Sequence, residues 1–107
     1  MIGGGTAGLV SGFLAQTLGA KTVLIEKSRI GGECLWTGCV PSKTLIKSAK
    51  VFDTIQRSQE FGVHVEKSRV VWSALKLRIQ DVRDDIRKNE KREIEKSGLQ
   101  IINGEAR

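Results

Sequence analysis

The firmest constraint on this chain lies in its first eight residues. Gly3, Gly5 and Gly8 form a Gly-x-Gly-x-x-Gly turn directly behind Met1-Ile2. Leu9 to Leu18 then reads as an apolar helix that Gly19 stops, with the small residues Ala7, Ser11 and Ala15 spaced for close packing. Lys21-Thr-Val-Leu-Ile-Glu26 follows as a short strand, apolar in a continuous run as parallel strands are, with an acid at its end. A strand stump, a glycine turn, a helix and a strand make up the opening βαβ unit of a doubly wound sheet. The expected fold class is α/β, a partial Rossmann-like domain with a parallel sheet and long helices.

Each glycine has a job in such a turn. The first permits the sharp bend, the second lets backbone amides reach a pyrophosphate, and the third lets the helix pack on the strand. The helix N-terminus then faces the phosphates with its positive dipole end. Glu26 stands 18 residues after Gly8, where a carboxylate accepts hydrogen bonds from both ribose hydroxyls. The alternatives are a merely structural turn and an exposed strand-end acid. The pattern points to a dinucleotide without separating FAD from NAD.

Farther along, residues 28–38 read as a loop punctuated by Gly31, Gly32 and Gly38. Pro41 suits a first helical turn, and Leu45, Ala49, Phe52 and Ile55 give one apolar stripe on a helix running to about Ser58. Residues 61–65 suggest a short extended piece. A long charged helix is expected from about Val70 to Lys96, with Trp72, Leu75, Ile79, Val82 and Ile86 at 3–4 spacing. That stripe spans only about two heptads, so packing against its own sheet is expected rather than a coiled coil. Leu99 to Asn103 reads as a last strand.

Cys34 and Cys39 are the only cysteines, five apart and set among glycines. A structural disulfide is disfavoured because nothing suggests an oxidising compartment and so short a loop removes little unfolded-state entropy. A metal site would need more donors than the single histidine, His64, supplies. A redox dithiol remains, its thiolate favoured by a helix start and by Lys43.

The charge is spread rather than concentrated. Lys and Arg number 18 against 12 Asp and Glu, a formal net charge of +6, and acids are interleaved with bases throughout. A nucleic-acid patch would gather cations on one face with aromatics for stacking, whereas aromatics are only 5% here. A solvated surface is expected, with no nucleic-acid or membrane role. No apolar run approaches the ~18 residues of a membrane span. Cytoplasmic localisation is the default expectation. Only Met1 and Ile2 precede Gly3, where a turn of this kind uses a strand of about five residues, and the last strand stops one step after a turn glycine. Residues 1–107 are accordingly expected to form one domain, incomplete at both ends.

The run Gly31-Gly32-Glu33-Cys34-Leu35-Trp36-Thr37-Gly38-Cys39-Val40-Pro41-Ser42-Lys43 resembles the redox-active signature of the class I pyridine nucleotide–disulfide oxidoreductases. That family includes dihydrolipoamide dehydrogenase, glutathione reductase and mercuric reductase. The turn at Gly3–Gly8 and Glu26 are similar to its N-terminal FAD-binding segment, and the likeness extends over essentially the whole chain. The charged helix and the closing Gly104-Glu105-Ala106-Arg107 look closest to the mercuric-reductase-like branch.

The resemblance implies FAD held by Gly3, Gly5, Thr6, Ala7, Gly8, Glu26, Lys27, Gly32, Glu33, Gly38, Cys39 and Lys43. It implies that Cys39 lies against the flavin, that Cys34 exchanges with substrate, and that Lys43 lies near the flavin's reactive nitrogen. Electrons would pass from NAD(P)H to FAD, to Cys34–Cys39, and on to a small-molecule or disulfide substrate. The full-length protein would be a homodimer, with NAD(P)H bound by a second glycine-rich fold outside these residues. His64 is not expected to be the catalytic base, and these residues alone are expected to lack turnover. Glu33 stands where the family often has Thr, and Trp36-Thr37 replaces the common Asn-Val, departures that bear on FAD binding and on access to Cys34. The alternative reading is a stand-alone flavin-binding or dithiol module.

Overall fold

The computed structural model describes residues 1–107. Helix α1 (Thr6–Thr17) leads into strand β1 (Val23–Glu26) and a short helix α2 (Gly32–Trp36). Helix α3 (Cys39–Gln56), a 3-10 turn at Ser58–Phe61, helix α4 (Trp72–Ser97) and strand β2 (Gln100–Asn103) complete the order. The fold is a partial Rossmann-like α/β unit, as the glycine turn and the apolar strand predict.

Strand β1 is the hub of the sheet. It runs parallel to β2, with Leu24 opposite Ile101, and on its other side Ile2 bridges in parallel to Ile25. Period-two geometry assigns each backbone group its side: Ile25 bonds Met1 and Gly3 through its N–H and C=O, while the Glu26 carbonyl accepts from Gly104. The core sits on one face of this sheet, where Leu9, Leu24 and Leu99 meet with Phe13, Ile30, Ile94 and Ile101 around them.

Helix α1 approaches that core through Gly8 and Gly12, whereas Ala7 and Ser11 are exposed. The small-residue face is therefore one position away from the expected one. A Cβ on Gly8 would run into the Gly3 carbonyl oxygen, and one on Gly12 would stand 2.9 Å from Leu99 Cδ2. The glycines themselves set the helix rotation because only they permit this approach.

Helices α3 and α4 form a hairpin. The end of α3 meets the segment that leads into α4, where Gln56 Nε2 donates to Ser68 Oγ at 2.6 Å. The hairpin extends the molecule to 59 Å, and its radius of gyration of 19.2 Å exceeds the ~13 Å of a compact globule of this length. Three expectations are corrected here. Helix α4 reaches the sheet core through Ile94, but its first half lies along α3 rather than on the sheet. Leu45 and Ala49 of the α3 stripe are exposed, and so is Trp72, at 67%. Residues 61–65 pair with no strand, since Phe61 closes the 3-10 turn and the chain then turns at Gly62.

The charges of α4 pair along its surface, as in Asp84–Arg87, Asp85–Lys88, Lys91–Glu95 and Glu93–Lys96. Such exposed pairs contribute about 0.3–0.5 kcal/mol each at most. They describe a solvated face.

Candidate active site

The loop expected over 28–38 contains helix α2, and this helix carries Cys34. Local backbone chemistry explains it: Gly31 enters left-handed at φ +96°, and the Glu33 carbonyl accepts from both Thr37 N and Gly38 N at the far end. Glycine punctuation marked the bounds of the segment but hid the turn of helix between them.

This segment docks onto the glycine turn. Gly31 N donates to the Gly4 carbonyl at 2.8 Å, and a Cβ on Gly32 would stand 2.9 Å from the Gly5 Cα. Gly5 is the N-cap residue of α1, and no side chain caps that helix. The first amides of α1 thus keep the capacity to bind an anion.

Glu26 closes the other side of the turn. Its carboxylate accepts from Gly4 N at 2.6 Å and from Ser28 N at 2.7 Å. These two amides hold the carboxyl below the usual range, against the smaller opposing effect of burial. Each oxygen retains a lone pair for a hydroxyl. Lys27 points elsewhere, to an exposed ion pair with Glu105 at 3.4 Å. Glu33 is exposed, and its carboxylate makes no hydrogen bond within the chain.

The two thiols face each other. Cys34 is half-buried on α2, and Cys39 is exposed as the first residue of α3, with Gly38 as its N-cap. Hydrogen bonding from the Cys39 thiol lowers the Cys34 thiol most. The Thr6 hydroxyl, the Lys43 charge and the Cys39 backbone N–H add to this, while burial opposes it. Cys39 is raised in turn, first by its bond to Cys34 and then by the negative charge there. Cys34 is therefore the more acidic thiol of the pair. Lys43 lies one helical turn after Cys39, on the same face of α3.

Thr6 is the residue whose role sequence reasoning missed. It stands at the start of α1 in the glycine turn, yet its hydroxyl is among the groups that lower the Cys34 thiol. His64 is exposed on the segment after the 3-10 turn, away from these elements.

The fold and the site define a class: a doubly wound α/β unit with a two-cysteine segment docked on its glycine turn. The chain belongs to the pyridine nucleotide-disulphide oxidoreductase family, whose model matches residues 1–107. It is 38% identical over 105 residues to the dihydrolipoyl dehydrogenase of Acholeplasma laidlawii, covering 97% of this chain and 31% of that protein. It is 35% identical over 107 residues to a dihydrolipoyl dehydrogenase of Bacillus subtilis, covering 100% of this chain and 23% of that protein. The crystal structure of LpdA from Mycobacterium tuberculosis superposes with a TM-score of 0.85 at 26% identity, over 96% of this chain and 22% of that one. The chain thus spans between a fifth and a third of the length of these relatives.

Proposed function

We propose that residues 1–107 are the FAD-binding and redox-disulfide portion of a flavin-dependent NAD(P)H:disulfide oxidoreductase. The observation that carries this reading is the docking of the Cys34–Cys39 segment on the Gly3–Gly8 turn, through the Gly31 N to Gly4 carbonyl bond and the Gly32–Gly5 contact. The turn fits a dinucleotide: the close backbone approach at Gly5, Gly8 and Gly32 keeps side chains out, and α1 begins uncapped. Thr6, Ala7 and Gly8 would hold the pyrophosphate through backbone amides, Glu26 would take the ribose hydroxyls, and Gly32, Glu33, Gly38, Cys39 and Lys43 would border the flavin. When bound, FAD supplies a two-electron carrier between the nicotinamide and the thiol pair.

The chain's own residues account for the thiol chemistry. In the reducing direction the Cys34 thiolate attacks one sulfur of a substrate disulfide, whose S–S bond breaks and releases the first product thiolate. Cys39 loses its proton and attacks Cys34 Sγ in the mixed disulfide, releasing the second. The substrate gains two electrons and the pair loses two as the Cys34–Cys39 bond forms. The lowered Cys34 thiol suits the attacking role, and the exposed face of Cys39 suits contact with the flavin. Lys43 stabilises thiolate at both positions.

The named relatives are dihydrolipoyl dehydrogenases, which supports a dithiol of the dihydrolipoamide type over mercuric ion as the substrate. Homodimerisation and NAD(P)H binding belong, on this reading, to the full-length protein. Thiol trapping tests it. Full-length protein as purified should yield no alkylated Cys34 or Cys39, and both should be alkylated after anaerobic NADH or dihydrolipoamide. Full alkylation before any reductant would overturn the proposal.

A further inference from the structure

On the side of α2 away from the thiols, Trp36 gathers three guanidinium groups. Helical geometry turns Trp36 about 200° from Cys34, toward α4. The Arg29 guanidinium lies 4.2 Å from the Trp36 ring centroid, and those of Arg83 and Arg87 each lie 5.0 Å away. The indole N–H donates to the Ile30 carbonyl at 2.8 Å, which fixes the ring.

Each such contact is attractive, but three like charges around one ring also repel. Carboxylates do not fully compensate them. Arg87 has a weak ion pair with Asp84 at 3.4 Å, whereas Arg29 and Arg83 pair with no carboxylate. The Nε of Arg83 is enclosed without any acceptor. An adjoining cavity of about 740 Å³ is lined by Arg29, Arg87, Lys88 and Lys91 against Asp84, Glu90 and Glu95. Burial pushes the Glu90 carboxyl up, against the smaller opposing pull of Arg87.

We propose that the cluster of Arg29, Arg83 and Arg87 around Trp36 is a binding site for a small oxyanion, a carboxylate or phosphate group. Guanidinium forks match such oxyanions bidentately. An oxyanion held by these guanidinium groups would offset their mutual repulsion. The site is separate from the Gly3–Gly8 turn and does not depend on the flavin reading.

Trp36 itself reports on the site. The chain has two tryptophans, so Trp72→Phe, at an exposed position, leaves Trp36 as the only indole. Inorganic phosphate and succinate are titrated separately in the full chain, with sodium chloride at matched ionic strength as reference. A saturable change in Trp36 fluorescence with either probe supports the site and identifies the oxyanion. A signal that merely follows ionic strength overturns it. Arg83→Gln should weaken binding about tenfold or more, as loss of a charge-assisted pair would. Unchanged affinity would place the anion elsewhere, such as at the glycine turn, and would also overturn the proposal. If Arg83→Gln fails to fold, Arg29→Gln and Arg87→Gln, both at exposed positions, give the same readout.

Discussion

Gly32 and Gly5 meet backbone to backbone, so that a Cβ on Gly32 would stand 2.9 Å from the Gly5 Cα. This contact joins the thiol segment to the glycine turn. Gly32 also sits at φ +55°, a conformation that costs a side chain about 1 kcal/mol or more. Gly32→Ala should destabilise the chain by roughly 1–3 kcal/mol in denaturant unfolding. It should also slow the Cys34–Cys39 exchange, because α2 must move away from α1.

Thiol reactivity should depend on pH in opposite senses at the two cysteines. The rate of Cys34 alkylation by iodoacetamide should rise at a pH below the ordinary thiol range, and that of Cys39 above it. Cys39→Ser weakens the principal hydrogen bond to Cys34 and should move its midpoint upward. Cys34→Ser should move the Cys39 midpoint downward. Lys43→Met should raise both. Mass-spectrometric alkylation rates between pH 6 and 10 would check all four statements (an interval of roughly two units about the usual thiol value).

Glu26 should make stability pH-dependent in the acid range. Its carboxyl is lower in the folded chain than in the unfolded one, so its contribution is complete above the unfolded value. That contribution is lost as pH falls through the folded value. Glu26→Gln should therefore cost about 1–3 kcal/mol near neutrality and progressively less on acidification. Urea midpoints measured across pH 2–7 (about the carboxylate range) would show whether the two curves converge.

The core is small, so a single truncation should weigh heavily. Leu24 has no exposed surface and packs with Leu9 and Leu99 between α1 and the sheet. Leu24→Ala should cost about 2–4 kcal/mol. Leu45→Ala, on the open face of α3, should cost less than about 1 kcal/mol. Unfolding of the two variants under identical conditions tests this ranking.

Local signals made much of this structure legible. The Gly3–Gly8 turn, the apolar run at Val23–Glu26 and the stop at Gly19 write their elements into neighbouring residues. Tertiary apposition was not legible in that way. Thr6 reads as a turn residue because the thiol it serves is 28 positions away. Trp36 reads as a departure within the thiol motif because its arginine partners come from a loop and from α4. The exposed Leu45 and Ala49 show the same limit: a helical period marks an apolar face without saying what covers it.

On the proposed reading, Cys39 faces a flavin held on the Gly3–Gly8 turn. The most direct test is the absorbance spectrum of the full-length protein during anaerobic stoichiometric reduction. A bound-flavin spectrum is expected, with a long-wavelength charge-transfer band at two electrons, present in Cys34→Ser and absent in Cys39→Ser. A colourless protein, or a band that survives Cys39→Ser, would contradict it.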